Sequence, residues 1–170
     1  YLYEILYERG YKIYGTTRSE FNPEVLSCTA ERYGLPGVTY VTCDLNDTDK
    51  VKKVISTILP DEIYNLAAQS DAVDSIDDPE QTLIINGNSV MAMCEAVRSL
   101  KEIKKIKVFQ ANSAELFRGL TQHTSNILRI DETILEFYPK NPYAIAKLMA
   151  YWIIRYYREY YNLYMCNGII

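Results

Sequence analysis

Residues 38–67 read VTYVTCDLNDTDKVKKVISTILPDEIYNLA, and this stretch sets the fold class. Val38 to Cys43 is a β-branched and aromatic run that stops at Asp44, the composition of a short strand. Asp47 or Thr48 then stands where a helix cap belongs, and Val51, Val54, Ile55 and Ile58 recur on one helical face until Pro60 ends it. Glu62–Ala67, EIYNLA, is the next extended run. A strand, an amphipathic helix of about three turns and a second strand make a βαβ unit, which requires the two strands to be parallel.

The same alternation continues in both directions. Upstream, Leu2, Ile5 and Leu6 have helical spacing up to Gly10, YKIYGTT at 11–17 is extended, and Pro23 opens a helix over 23–33 that Gly34 closes. Downstream come a polar loop (AQSDAVDSIDDP, 68–79) and a long helix over 80–100 with Leu83, Val90, Met93, Cys94 and Val97 inward. KVFQAN at 107–112 is extended, and 118–141 is loop-rich with a short helical turn at 131–136. A helix then runs from Pro142 to Tyr161, followed by a strand at 163–168. Short apolar strands separated by helices predict a Rossmann-like, doubly wound parallel sheet, α/β in class, covered on both faces.

Composition fits one folded domain. The 170 residues are 48% hydrophobic and 24% charged, and 18 Lys plus Arg stand against 22 Asp plus Glu, a net charge of −4. An acidic chain of this kind is not a nucleic-acid binder, and the KEIKKIK run at 101–107 is a short solvated segment. No apolar stretch is long enough to span a membrane. Cys28, Cys43, Cys94 and Cys166 form no CxxC pair and His123 is the single histidine, so no metal site is expected. Four reduced thiols suit a cytoplasmic protein.

Doubly wound folds hold ligands beyond the carboxyl ends of their strands. That rule selects Thr17–Arg18, Asp44–Leu45, Ala67–Ser70 and Asn112–Glu115. A second signal follows: Tyr143 and Lys147 are four apart at the start of the 142–161 helix, so phenol and ammonium share one face. An ammonium beside a phenol favours the phenolate, which can exchange a proton with a sugar or alcohol hydroxyl. Some thirty residues earlier, FQANSAE at 109–115 puts a hydroxyl and a carboxylate, Ser113 and Glu115, at a strand end.

On these segments the chain resembles the extended short-chain dehydrogenase/reductase family, whose reactive pair is YxxxK, and within it the branch acting on GDP-mannose. The likeness rests on YLYEILYERGYKIYGTTR, DLND, EIYNLAAQSDAVDS, FQANSAEL and NPYAIAKLMAYWIIRYYREYYNLYMCNGI. It implies a lyase that turns GDP-mannose into GDP-4-keto-6-deoxy-mannose through internal hydride transfer by NADP. Tyr143 and Lys147 would be the catalytic pair, Ser113 would contact the sugar's 4-oxygen and Glu115 would be the base at C5. The cofactor would be held by Arg18, Asp44, Leu45, Leu66, Ala67 and Ala68 together with Tyr143 and Lys147. The substrate would be held by Gln69, Ser70, Ser113 and Asn167. Arg18 stands where an acidic residue would select NAD, and a guanidinium there suits a 2′-phosphate, so NADP is expected over NAD.

The sequence departs from the family at Ser19, Asp71 and Ala114, where the family has a second arginine, often a histidine, and a serine. The resemblance leaves open another nucleotide-sugar 4,6-dehydratase or epimerase, or a dinucleotide-binding protein without catalysis. It also implies a homodimer or homotetramer, with the 80–100 and 142–161 helices at the interface. The glycine-rich turn and first strand are expected ahead of Tyr1, and a smaller substrate domain after Ile170. Residues 1–170 therefore read as a partial NAD(P)-binding domain that carries the catalytic residues. A sheet without its first strand is expected to expose unpaired backbone along an edge.

Overall fold

The computed structural model describes residues 1–18, 37–123 and 136–170. The expected helix over 23–33 and nearly all of the turn at 131–136 lie outside the described residues. Every described strand pairs in parallel, as the βαβ reading requires. The chain begins with α1 (Leu2–Glu8), which has no buried residue and ends near Gly10 at φ 76°, a left-handed geometry that glycine adopts freely. Strand β1 (Ile13–Thr17) pairs with β2 (Val38–Thr42), with Thr17 opposite Thr42.

Helix α2 (Thr48–Ile58) starts at Asp47, whose carboxylate accepts from the Lys50 N–H at 2.8 Å, and it buries Val51 and Ile55. Leu59 ends it in the left-handed region (φ 49°), immediately before Pro60. Strand β3 (Glu62–Asn65), β4 (Lys107–Asn112) and β5 (Met165–Ile169) form a second sheet with β4 in the middle. The described strands thus make a two-stranded and a three-stranded parallel sheet. Among the described residues, β1, β2, β3 and β5 each have one unpaired edge, and only β4 is paired on both sides.

The long helix expected over 80–100 is three pieces. After a short α3 (Asp74–Asp77), α4 (Pro79–Leu83) is capped by Asp78, a π-helical turn occupies Ile84–Asn88, and α5 (Ser89–Leu100) follows. The widened turn falls on INGN, where Gly87 lies so close to the Met149 thioether that an added Cβ would sit 2.6 Å from the sulfur. Beyond β4, a 3₁₀ turn (Ala114–Phe117) leads into α6 (Arg118–His123). Helix α7 (Pro142–Tyr161) has the predicted bounds. Asn141 caps it by accepting from the Ala144 N–H at 2.7 Å, Pro142 sits in the first turn and Asn162 closes it at φ 54°.

The core lies between α2, α5, α7 and the β3–β4–β5 sheet. Val90, Cys94, Val97, Val108, Ala150, Ile154 and Met165 are all 0–2% exposed. Burying each large aliphatic side chain contributes about 1.5–3 kcal/mol, so this cluster dominates the hydrophobic stabilisation of the described residues. At its rim Tyr157 donates to Glu95, whose carboxylate also takes a two-point contact from Arg98 (3.0 and 2.7 Å). Arg98 and then Tyr157 hold Glu95 below the usual carboxylate range, while burial and then the bond to Glu95 push Tyr157 upward. No helix among the described residues is long and apolar enough to cross a membrane.

Candidate active site

Parallel pairing brings the expected ligand loops to the same end of each sheet. Arg18 follows β1 and is exposed, next to the Asp44–Leu45 segment that follows β2; the Cys43 N–H donates to the Thr17 carbonyl at 2.8 Å between them. Asp44 Oδ1 accepts from the backbone and side-chain nitrogens of Asn46, both at 3.0 Å, while Leu45 packs partly against the core. Gln81 of α4 donates to Asn46, which ties this loop to the segment beyond β3.

Leu66 is 54% exposed and Ala67 and Ser70 are exposed, so the stretch after β3 offers an accessible surface of small and apolar groups. Ala68 and Gln69 are half-buried. Gln69 is pinned through its backbone: its N–H donates to Asn86 Oδ1 (3.0 Å) and its carbonyl accepts from Asn86 Nδ2 (2.8 Å). Asn86 lies on the π-helical turn, and sequence reasoning missed it. The available signal was INGN, two asparagines and a glycine in the middle of a helical pattern.

A polar cluster stands at the end of β4. Asn65 donates to Gln110 Oε1 at 2.7 Å, and Gln110 Nε2 donates to the Ala111 carbonyl at 2.8 Å. The same carbonyl accepts from Lys147 Nζ at 2.9 Å. Lys147 is 3% exposed, and burial pushes its ammonium down to about 8. Its nitrogen lies 5.8 Å from the centre of the Tyr143 ring, the shared face that the i, i+4 spacing predicts.

Ser113 caps the 3₁₀ turn by accepting from the Glu115 N–H at 3.3 Å. The Glu115 carboxylate takes Arg118 Nη1 on both oxygens (2.8 and 3.0 Å) and Asn141 Nδ2 on Oε2 (3.3 Å). Asn141 is also the cap of α7, so the helix that carries Tyr143 and Lys147 begins against the carboxylate. Asn167, expected as a substrate contact, bridges β4 and α7: its Oδ1 accepts from Asn112 Nδ2 (2.7 Å) and its Nδ2 donates to the Tyr151 carbonyl (3.2 Å).

Two buried side-chain oxygens, Gln69 Oε1 and Asn112 Oδ1, find no hydrogen-bond partner among the described residues. Both belong to the segments that leave β3 and β4 on the ligand side. A buried acceptor without a donor carries a desolvation cost that a ligand's hydroxyl or amide can remove. With the buried Lys147 and the exposed small residues after β3, they fit a dinucleotide and a sugar. No group of three or more potential metal ligands occurs among the described residues.

The parallel α/β layers and a tyrosine–lysine pair one turn apart define a domain of the short-chain dehydrogenase/reductase type. The family model of GDP-mannose 4,6 dehydratase matches residues 1–170, and the chain belongs to that family. It is 36% identical to GDP-mannose 4,6-dehydratase of Vibrio cholerae over 174 residues, covering 100% of this chain and 45% of that protein. The human enzyme is also 36% identical, with 100% and 45% covered, and the Dictyostelium discoideum enzyme 37%, with 100% and 48% covered. The chain spans about half the length of the curated relatives it matches. Among solved structures, UDP-glucose 4-epimerase from Brucella ovis in complex with NAD superposes with a TM-score of 0.74 at 18% identity, over 98% of this chain and 46% of that one. The UDP-glucose 4-epimerase of Thermus thermophilus in complex with NAD gives 0.75 at 22%, over 96% and 48%. At that identity the likeness speaks for the fold alone.

Proposed function

We propose that this chain carries the catalytic residues of a GDP-mannose 4,6-dehydratase, a lyase that forms GDP-4-keto-6-deoxy-mannose with no net redox change. The observation that carries the reading is Asn141, which joins the Glu115 carboxylate to the start of the helix bearing Tyr143 and Lys147. Proton acceptors for an oxygen and for a carbon therefore stand on adjoining elements. Tyr143 takes the proton of the sugar's C4 hydroxyl, and the Lys147 ammonium stabilises negative charge beside it. Ser113 orients the 4-oxygen.

Glu115 then removes the proton at C5, made acidic by the neighbouring carbonyl. The electron pair of that C–H bond forms the C5=C6 double bond, the C6–O bond breaks, and the hydroxyl leaves as water. The two protons taken by Tyr143 and Glu115 are the two returned, one on the departing hydroxyl and one at C5. The chemistry that bound NADP would supply is acceptance of hydride from C4 and its return at C6.

Arg18, Asp44, Leu45, Leu66, Ala67 and Ala68 hold the cofactor, and Gln69, Ser70 and Asn167 border the sugar nucleotide. An exposed guanidinium at Arg18 supports NADP over NAD through its match to a 2′-phosphate. Ile145, Trp152, Tyr156 and Tyr160 are 45–71% exposed and share one face of α7, which supports a homodimer or homotetramer built on this helix. Free thiols at Cys43, Cys94 and Cys166 support a cytoplasmic location. The test is to express the complete reading frame around this chain and incubate it with GDP-mannose and NADP. Loss of one water from the sugar nucleotide without build-up of NADPH is the expected result; an unchanged mass refutes the reading.

A further inference from the structure

We propose that Arg118 and Asn141 are positioning residues that clamp the Glu115 carboxylate and leave Oε1 as its proton-accepting atom. The inference rests on the reading of Glu115 as the base at C5. An ionised carboxylate offers about four lone-pair directions. Oε2 has two donors, Arg118 Nη1 at 3.0 Å and Asn141 Nδ2 at 3.3 Å. Oε1 has one, Arg118 Nη1 at 2.8 Å. Among the described residues, the open direction is on Oε1.

A half-exposed i, i+3 ion pair is weak by itself, and Arg118 and Glu115 side chains are 52% and 29% exposed. What distinguishes this pair is its setting. The second donor comes from a different element, and the backbone of the turn is fixed at three points. Ser113 Oγ accepts from the Glu115 N–H, the Tyr138 N–H donates to the Leu116 carbonyl at 2.8 Å, and the Gly119 N–H donates to the Tyr138 carbonyl at 2.9 Å. A β-carbon on Gly119 would stand 2.7 Å from that carbonyl oxygen, so the two segments touch backbone to backbone. Because one Asn141 amide both caps α7 and holds Glu115, the carboxylate and the Tyr143–Lys147 face are set by a common joint. A base that attacks carbon gains most from such fixed aim, since C–H offers no hydrogen bond to guide it.

The test isolates proton transfer from the rest of the reaction. In the 4-keto-6-deoxy product the C5 hydrogen is adjacent to the ketone, so a correctly placed base exchanges it with deuterated solvent. The complete protein is incubated in D2O with that product, and deuterium uptake at C5 is followed by mass spectrometry. Arg118→Gln is expected to slow uptake about tenfold or more, the loss typical of a charge-assisted hydrogen bond, and Arg118→Lys to restore part of it. Asn141→Ser, which keeps a capping oxygen and loses the donor, should slow uptake roughly threefold. Calorimetric affinity for the product should stay within about twofold in all three, since the clamp aims a base and does not hold the ligand. Exchange at the unsubstituted rate in Arg118→Gln overturns the clamp. Should Glu115→Gln retain full exchange, or the unsubstituted protein show none, the reading of Glu115 fails and takes the clamp with it. Thermal unfolding of each variant separates loss of aim from loss of fold.

Discussion

The two sheets are unlike in how they are supported. Around β3, β4 and β5, side chains such as Val108, Met165, Val90 and Ile154 are 0–2% exposed, and α5 and α7 pack directly on the strands. Around β1 and β2 no strand residue is fully buried, and α1 has only partly buried residues, at Leu2, Tyr3 and Leu6. Parallel strands depend on cover from helices on their faces, so these regions differ in stability as well as in role. The helix packed on this sheet and the turn that follows β4 carry the groups whose proposed work needs a geometry held to within a fraction of an ångström: Lys147, Tyr143, Ser113 and Glu115. The thinly covered sheet carries Arg18 and Asp44, whose expected work is to hold a flexible, charged ligand. Rigid placement is concentrated where proton transfer would demand it.

The largest expected effect concerns that chemistry. In the complete protein Tyr143→Phe removes the proposed proton acceptor for C4 and should reduce turnover of GDP-mannose by about a hundredfold to ten-thousandfold, with thermal stability nearly unchanged. A loss below tenfold would mean that the packed sheet does not hold the reactive centre. Next in size is the packing itself. Ile154 is fully buried, and Ile154→Ala should cost about 3 kcal/mol in denaturant unfolding. A cost below about 1 kcal/mol would erase the distinction between the two regions.

Much of this arrangement is legible in the sequence because the signals are local. The α7 boundaries follow from Asn141 and Pro142 at one end and loss of periodicity at the other, and β4 follows from KVFQAN. The pairing of Tyr143 with Lys147 needs nothing beyond helical spacing. What escaped depends on contacts across the chain. The π-helical turn at 84–88 falls where Gly87 meets Met149, sixty-two residues away by their numbers, and INGN marks the place locally without showing the partner. Asn86 and Asn112 become site residues only when their partners Gln69 and Asn167 are brought to them. The Glu115–Arg118 contact has the spacing of an i, i+3 charge pair, but the second donor, Asn141, lies twenty-six residues from Glu115 and has no local signal of that contact. Composition could not divide the aromatic residues of α7: Tyr157 is core, while Trp152 and Tyr156 are exposed.

A third prediction separates stability from function within the packed sheet. Lys147 is a buried cation whose folded-state value, about 8, lies below the ordinary 10.5 because of desolvation. Between those values the unfolded chain binds more protons than the folded one. The contribution of Lys147 to stability therefore rises with pH through that window and is flat, at its most unfavourable, below about pH 8. Lys147→Met should flatten this rise and stabilise the protein at pH 7 by about 1–2 kcal/mol, while turnover falls at least a hundredfold. Unfolding curves measured at pH 7 and pH 9.5 check the sign. If Lys147→Met is destabilising at pH 7, the hydrogen bond to Ala111 outweighs the burial of charge, and the lysine belongs to the scaffold as much as to the site.

The smallest expected effect tests the thinly covered region. Ile5 is 47% exposed on a helix with no buried residue, so Ile5→Ala removes little apolar surface from contact and alanine favours the helix. Its cost should stay within about 0.5 kcal/mol. Amide exchange gives the same contrast without mutation: in the 170-residue chain the β4 amides, flanked by strands on both sides, should exchange at least a hundredfold more slowly than those of β1. Equal protection in β1 and β4, together with a cost above 1 kcal/mol for Ile5→Ala, would mean that the first sheet acquires cover beyond the contacts made by the described residues. The rigidity assigned to the catalytic sheet would then belong to both, and the division of work between holding a ligand and aiming a base would have to come from the chemistry of the loops alone.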